Sequence, residues 1–166
     1  MQIKFSDLPN IRRKHKNKDI VFIRGPFDLI HAGHIELLRL AKMKGDILVV
    51  ALARDSDLAA RKGKGRPVLK MWQRKRVMDA IRYVNYVVTL PVSKTREQNK
   101  QATFTVLKAL RPDIFATVYK IWKKYDVEMR RKYGTKVTLI KEVRLNSTTA
   151  IIKRAAVASK NANTNL

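Results

Sequence analysis

The sequence predicts an α/β fold, a single doubly wound, Rossmann-like domain around a five-stranded parallel sheet. Short runs rich in β-branched and aromatic residues alternate with longer stretches of helical periodicity, which is the signature of strand–helix–strand units. One run, residues 47–53 (ILVVALA), is apolar without interruption, as expected for a central parallel strand covered on both faces. The chain has 166 residues, enough for one sheet with helices on both sides and too few for two such domains.

Taken in order, residues 1–18 hold Arg12-Arg13-Lys14-His15-Lys16-Asn17-Lys18. Such a like-charge block repels itself and predicts a solvated basic arm, with His15 as an exposed histidine. Residues 19–24 (DIVFIR) read as the first strand. Ile35, Leu37, Leu38, Leu40 and Ala41 then recur at helical spacing, and the helix stops near Lys44-Gly45. After the strand at 47–53, Arg61-Lys62-Gly63-Lys64-Gly65-Arg66-Pro67 alternates cations with glycines. It suits equally a phosphate-gathering loop and a solvated surface loop. Met71, Val77, Met78 and Ile81 share a face of a basic amphipathic helix over 71–83. A strand at 86–90 ends at Pro91, a helix spans 99–110, and a strand at 113–116 follows Arg111-Pro112. Trp122 and Tyr125 are spaced for a helix face in the core or at its rim, and Gly134 ends that helix. A strand at 137–140 leads to Ser147-Thr148-Thr149, hydroxyls at a last helix start, where Ser147 also suits an ordinary cap. The expected organisation is a basic arm at 1–18, one domain at 19–159 and a polar, frayed tail at 160–166.

Composition limits the function classes. Lys and Arg number 37 against 13 Asp and Glu, a formal net charge of +24, which implies anionic ligands, an anionic partner or both. There is no cysteine, so disulfides and thiolate metal sites are excluded and a cytoplasmic location is expected. No apolar run approaches the length that crosses a bilayer, and no basic face is joined to a long apolar one, so no membrane role is expected.

The chemistry concentrates where the first strand hands over to its helix: Gly25-Pro26-Phe27-Asp28-Leu29-Ile30-His31-Ala32-Gly33-His34. In an open parallel sheet that handover lies at the carboxyl edge, where ligands bind and free N–H groups at a helix start attract phosphate. His31 and His34, three residues apart, share a face of the first turn, and Gly33 lets a ligand approach the backbone. Asp55, at the end of the second strand, is placed to hold a ribose, although the first turn lacks the G-x-G-x-x-G pattern of dinucleotide-binding folds. A zinc site on His31 and His34 lacks a third ligand at characteristic spacing, so no protein metal site is expected.

Gly25-x-Phe27-Asp28 followed by His31-Ala32-Gly33-His34 resembles the signature of cytidylyltransferase-like nucleotidyltransferases. The lysine–glycine pair and Arg66-Pro67-Val68 resemble the matching segment of bacterial sugar-phosphate adenylyltransferases, including those that make ADP-heptose. That resemblance implies Lys62 as the phosphate-binding lysine, with Lys64 beside it. In the related glycerol-phosphate cytidylyltransferases helix arginines approach the ligands, and they fall on Arg74 and Arg82 here. Ser147-Thr148-Thr149 matches the family's phosphate-holding hydroxyls. The arginine of the cytidylyltransferase version is replaced by Glu142, with Arg144 two residues on, which favours ATP over CTP. Residues 117–122 (TVYKIW) depart from the family's glycines and aspartate, so the acceptor differs or the site is rebuilt.

The resemblance implies nucleotidyl transfer from a nucleoside triphosphate to a small phosphorylated acceptor such as a sugar phosphate, with AMP favoured over CMP. His31, His34, Lys62 and Lys64 would be catalytic. Gly25, Pro26, Phe27, Gly33, Asp55, Ser147, Thr148 and Thr149 would bind the nucleotide. Mg²⁺ would arrive mainly on the substrate phosphates, and a homodimer is the family's expectation. The competing reading is a nucleic-acid-binding protein on a nucleotidyltransferase fold with faded activity, and the charge makes weak non-specific nucleic-acid binding expected in either case.

Overall fold

The computed structural model describes residues 1–141 and 147–164. Five parallel strands, β1 (Ile20–Gly25), β2 (Ile47–Leu52), β3 (Tyr86–Thr89), β4 (Ile114–Thr117) and β5 (Lys136–Leu139), form one sheet in the order β3-β2-β1-β4-β5. The order reverses at β1, so the helices fall on two faces and a crevice opens between β1 and β4 at the carboxyl edge. Alternation along the strands fills both layers. Val21, Ile23, Leu48 and Val50 pack on Leu38 and Ala41 of α2 (Ala32–Lys42) and on Met78 of α4 (Met71–Asp79). Ile20, Phe22, Val49 and Phe115 pack on the other side with Val106, Leu107 and Leu110 of α5 (Arg96–Leu110) and Met129 of α6 (Asp126–Tyr133).

The predicted doubly wound sheet is present, and the differences from the sequence reading have local causes. Residues 55–62, not predicted as helical, form α3 (Asp55–Lys62), which ends at Gly63 with φ 88°. The fifth helix begins three residues earlier than its periodicity suggests, because the Thr95 side chain accepts the Gln98 N–H and the Gln98 side chain caps the Thr95 N–H. Trp122 and Tyr125 lie in a 3-10 segment, Lys120–Tyr125, where Trp122 meets the Phe115 ring edge-on at 5.3 Å. The last helix, α7, runs Thr148–Thr164, so residues 160–164, expected in a frayed tail, continue the helix. Among the described residues, no helix is long and apolar enough to cross a membrane.

The largest correction concerns residues 1–18, which do not form a solvated arm. Ile3, Leu8 and Ile11 are buried in the core, Leu8 and Ile11 from α1 (Leu8–Lys14). Ile3 donates its N–H to the Val87 carbonyl at 2.9 Å, extending the β3 side of the sheet. Arg12 is drawn out of the charge block by Asp113 at 2.8 Å and by the carbonyls of His15 and Lys18 at 2.6 and 2.9 Å. His15 is likewise not a free surface imidazole: its Nε2 lies 2.8 Å from the Tyr86 hydroxyl. The charge run concealed an apolar i, i+3 pair at Leu8 and Ile11 that faces the sheet.

Candidate active site

A cleft of about 270 Å³ opens at the carboxyl end of β1. Its floor depends on how the chain leaves that strand. Phe27 takes a left-handed backbone conformation, φ 41°, which a bulky residue adopts only when its surroundings over-determine it. Burial of its ring, 2% exposed, supplies that constraint. A side chain at Gly25 would meet that ring at 2.8 Å, so glycine there is what allows the turn. The turn delivers His31 to the N-cap of α2, where its own side chain makes no capping hydrogen bond to the first turn.

The His31 and His34 rings stack at 3.8 Å, and Phe27 meets His34 edge-on at 5.3 Å. Both Nδ1 atoms are buried and, among the described residues, have no hydrogen-bond partner. Burial lowers the His31 pKa. It lowers that of His34 to about 4, with His31 and Lys62 acting in the same direction and a backbone hydrogen bond to Leu29 opposing them. Both rings are therefore neutral near pH 7, each with one nitrogen that donates and one that accepts a hydrogen bond. Lys62 lines the cleft at the end of α3, its pKa lowered by desolvation and by the nearby charge of Arg66. Ser147, Thr148 and Thr149 close the opposite side, and the Ser147 hydroxyl accepts the Ala150 N–H at 3.1 Å as a helix cap. Thr117, Val118 and Tyr119, from the stretch that departs from the family pattern, complete the wall.

The structure thus brings together Gly25, Pro26, Phe27, His31, Gly33, His34, Lys62, Ser147, Thr148 and Thr149. Other predicted site residues lie elsewhere. Lys64 is exposed in the loop beyond Gly63 and is not part of the cleft wall. Asp55 does not face the cleft: its carboxylate accepts the Met71 N–H at 3.1 Å and pairs with Arg74 at 2.7 Å. Arg74 is fully buried and also donates to the carbonyls of Leu69, Pro26 and Ala53, so it ties α4 to the ends of β1 and β2 instead of meeting a ligand. Arg82 follows α4 and precedes β3, which puts it at the amino edge of the sheet, away from the cleft. Arg144 lies outside the described residues.

Sequence reasoning gave no role to Asp28 and Arg24. Asp28 is 3% exposed and accepts from Val68 N–H at 3.0 Å, Leu69 N–H at 2.9 Å and Arg66 at 3.1 Å. It therefore anchors the far end of the cationic loop, and Arg66 reaches on to the Thr149 hydroxyl at 3.4 Å. Arg24 lines the cleft from β1. Its place two residues after Phe22, on the side of the strand that faces α5, was the available signal.

A doubly wound parallel sheet with this strand–turn–helix cleft at its switch point defines a Rossmann-like α/β protein of the nucleotidyltransferase fold. The cytidylyltransferase-like family model matches residues 22–159, and the chain belongs to that family. It is 36% identical over 136 residues to bifunctional protein HldE of Gluconobacter oxydans, covering 81% of this chain and 27% of the relative. It is 34% identical over 149 residues to that of Campylobacter curvus, covering 86% and 28%. The chain thus spans little more than a quarter of the length of these curated relatives. Among solved structures, the lipopolysaccharide core biosynthesis protein of Thermoplasma volcanium superposes with a TM-score of 0.58 at 26% identity, covering 76% of this chain and 98% of that one. A bifunctional NMN adenylyltransferase/ADP ribose pyrophosphatase from Francisella tularensis, with a TM-score of 0.54 and 14% identity over 80% of this chain and 40% of that one, shares the fold.

Proposed function

We propose that the protein is a nucleotidyltransferase that moves AMP from ATP, in preference to CMP from CTP, onto the phosphate of a small acceptor such as a sugar phosphate. The observation that carries this reading is the stacked His31–His34 pair at the start of α2 beside Lys62, with two Nδ1 atoms that have no partner among the described residues. Unpartnered polar atoms held in a cleft are groups that a ligand must satisfy.

An oxygen of the acceptor phosphate attacks the α-phosphorus. The bond from that phosphorus to the α,β-bridging oxygen breaks, and pyrophosphate leaves with the electron pair. No covalent enzyme intermediate is required. The protein's part is to align the reacting atoms and to stabilise charge that spreads over the phosphoryl oxygens. His31 and His34 hydrogen-bond those oxygens, Lys62 neutralises charge toward the leaving group, and Ser147 to Thr149 position the triphosphate. The described cleft wall contains no carboxylate, and no three His, Asp or Glu gather among the described residues. This fits Mg²⁺ entering on the triphosphate, held by substrate oxygens and water. We place the reaction in the cytoplasm, an expectation the cysteine-free composition supports.

The test is a pyrophosphate-release screen that crosses ATP, CTP and GTP with sugar 1-phosphates, glycerol 3-phosphate, phosphocholine and phosphoethanolamine. Turnover with ATP and a sugar phosphate is expected. His34→Ala should lower kcat by about a hundredfold or more in protein whose fold is verified by circular dichroism. Near-wild-type turnover in that variant would overturn the assignment. Absence of release throughout, together with sequence-selective nucleic-acid binding at physiological salt, would favour the nucleic-acid reading that the charge of +24 suggests.

A further inference from the structure

The cleft continues past β1 on its α5 side into a second cavity of about 230 Å³, walled by Arg24, Arg61, Asn99, Thr117, Tyr119 and Trp122. Arg24, Thr117 and Tyr119 line both spaces, so a molecule in one can reach into the other. The two sides differ in chemistry. The α2 side presents neutral imidazoles and one lysine, whereas the α5 side presents two guanidinium groups and an amide.

Two groups in this cavity lack the partner they require. Arg24 donates from Nη1 to the Asn99 carbonyl at 2.7 Å and to the Thr103 hydroxyl, both neutral acceptors. Among the described residues no carboxylate comes within ion-pair distance of it. The acidic groups that act on it from farther off are the Tyr119 phenol and Asp57, and Asp57 is engaged by the Ser93 hydroxyl at 2.9 Å. Desolvation lowers its pKa to about 10, and the charge of Arg61 acts in the same direction. A desolvated cation without a counter-ion is costly unless something anionic completes it. Beside it, the Asn99 Nδ2 is buried and, among the described residues, without an acceptor. A fork of guanidinium N–H groups next to a free amide donor matches the several acceptor oxygens of a phosphate or carboxylate.

We propose that this cavity is a second anion subsite, one that seats an anionic group of the acceptor distinct from the phosphate that attacks the nucleotide. Built on the nucleotidyltransferase reading above, the inference names the acceptor's class: a small molecule with two anionic groups, a bisphosphate or a phosphorylated acid. The triphosphate occupies the side of His31, His34, Lys62 and the α7 start, which leaves the α5 side to the acceptor. A singly phosphorylated acceptor engaged at the histidines would leave Arg24 uncompensated. Arg24 and Asn99 then set acceptor specificity, and Arg61 adds charge at the rim.

The test has a binding arm and a turnover arm. Inorganic phosphate is titrated calorimetrically into protein saturated with α,β-methylene-ATP, at about 0.15 M salt to screen the exposed cations. Wild type should show one saturable site. Arg24→Gln and Asn99→Asp, checked for folding by circular dichroism, should each weaken it tenfold or more, and Lys108→Ala, a change to an exposed lysine on α5, should not. In turnover, a bisphosphate or phospho-acid acceptor should give a lower KM than its monophosphate counterpart. Both cavity variants should raise acceptor KM at least tenfold with the ATP KM unchanged. Phosphate binding that depends on Arg24 and Asn99 without pyrophosphate release from any acceptor would sustain the anion site and defeat the transfer reading. Active enzyme whose phosphate binding and acceptor KM ignore both substitutions would overturn the inference and leave the transfer reading intact.

Discussion

Asp28→Ala offers a severe test of how the site is held, because one buried carboxylate carries three donors. Its oxygens lie 3.0 and 2.9 Å from the Val68 and Leu69 nitrogens and 3.1 Å from Arg66 Nη1. Leaving a buried donor without its acceptor costs about 1–3 kcal/mol, and breaking a buried ion pair about 3–5 kcal/mol. These amounts overlap. The Arg66 side chain is 15% exposed and hydrates once released, as do the loop amides, so a net loss of about 3 kcal/mol is expected. For a domain of this size that is a fall of about 6–12 °C in melting temperature, measured by circular dichroism. Asp28→Asn keeps one carbonyl oxygen and should lose about half as much. Released from its anchor, the loop before Leu69 should also be cut faster by trypsin at Arg61, Lys62 and Lys64. An unchanged transition together with unchanged trypsin sensitivity in Asp28→Ala would refute the view that this carboxylate sets the loop.

Acid should loosen the protein through His34. Its pKa in the folded chain is about 4, below the ordinary 6.5, so the unfolded chain takes up the proton first. Stability from this source is complete above about pH 6.5 and falls as pH drops toward 4. His34→Gln should therefore show a flatter melting temperature across that window than wild type, and parallel curves would contradict the burial of the ring. Deletion of residues 1–18 removes Ile3, Leu8 and Ile11 from the core, about 5 kcal/mol at the burial value of such side chains. The transition should fall by about 10 °C or more, and an unchanged transition would restore the picture of a solvated arm.

The fold was legible because its strands are short apolar runs and its helices carry their own stop signals. Residues 47–53 have the length and uninterrupted apolarity expected of a strand covered on both faces, and Gly134, with φ 73°, ends α6 where its position implies. Periodicity is weaker where charge dominates composition. The α1 helix escaped notice because Arg12, Arg13 and Lys14 directly follow the two side chains that matter, Leu8 and Ile11, and make the stretch read as a charge block. The α3 helix escaped because Leu58 is its only large apolar side chain in the core, so no stripe forms. Its evidence lies instead in Asp55 and Asp57 in the first turn and Arg61 and Lys62 in the last, a charge order that complements the helix dipole.

The site was legible only as far as its residues are local to one turn. His31, Gly33 and His34 follow from a strand that hands over to a helix, and a single pass along the sequence finds them. What Arg74 and Asp55 do depends on pairing across 19 positions of sequence, and what Arg24 does depends on α5, 75 positions away. A cation read in isolation looks equally suited to a phosphate or to a carbonyl, because both are oxygen acceptors. Satisfaction decides between them. Arg74 has three carbonyls and a carboxylate and needs nothing more, which removes it from the ligand set. Arg24, with two neutral acceptors and no counter-ion among the described residues, still needs an anion. The same criterion separates Asp55, paired with Arg74, from the histidines, whose buried Nδ1 atoms remain open. In a chain with so many cations, the groups that await a ligand are those the fold has desolvated and left unpaired, and at β1 they lie on both sides of a single strand end.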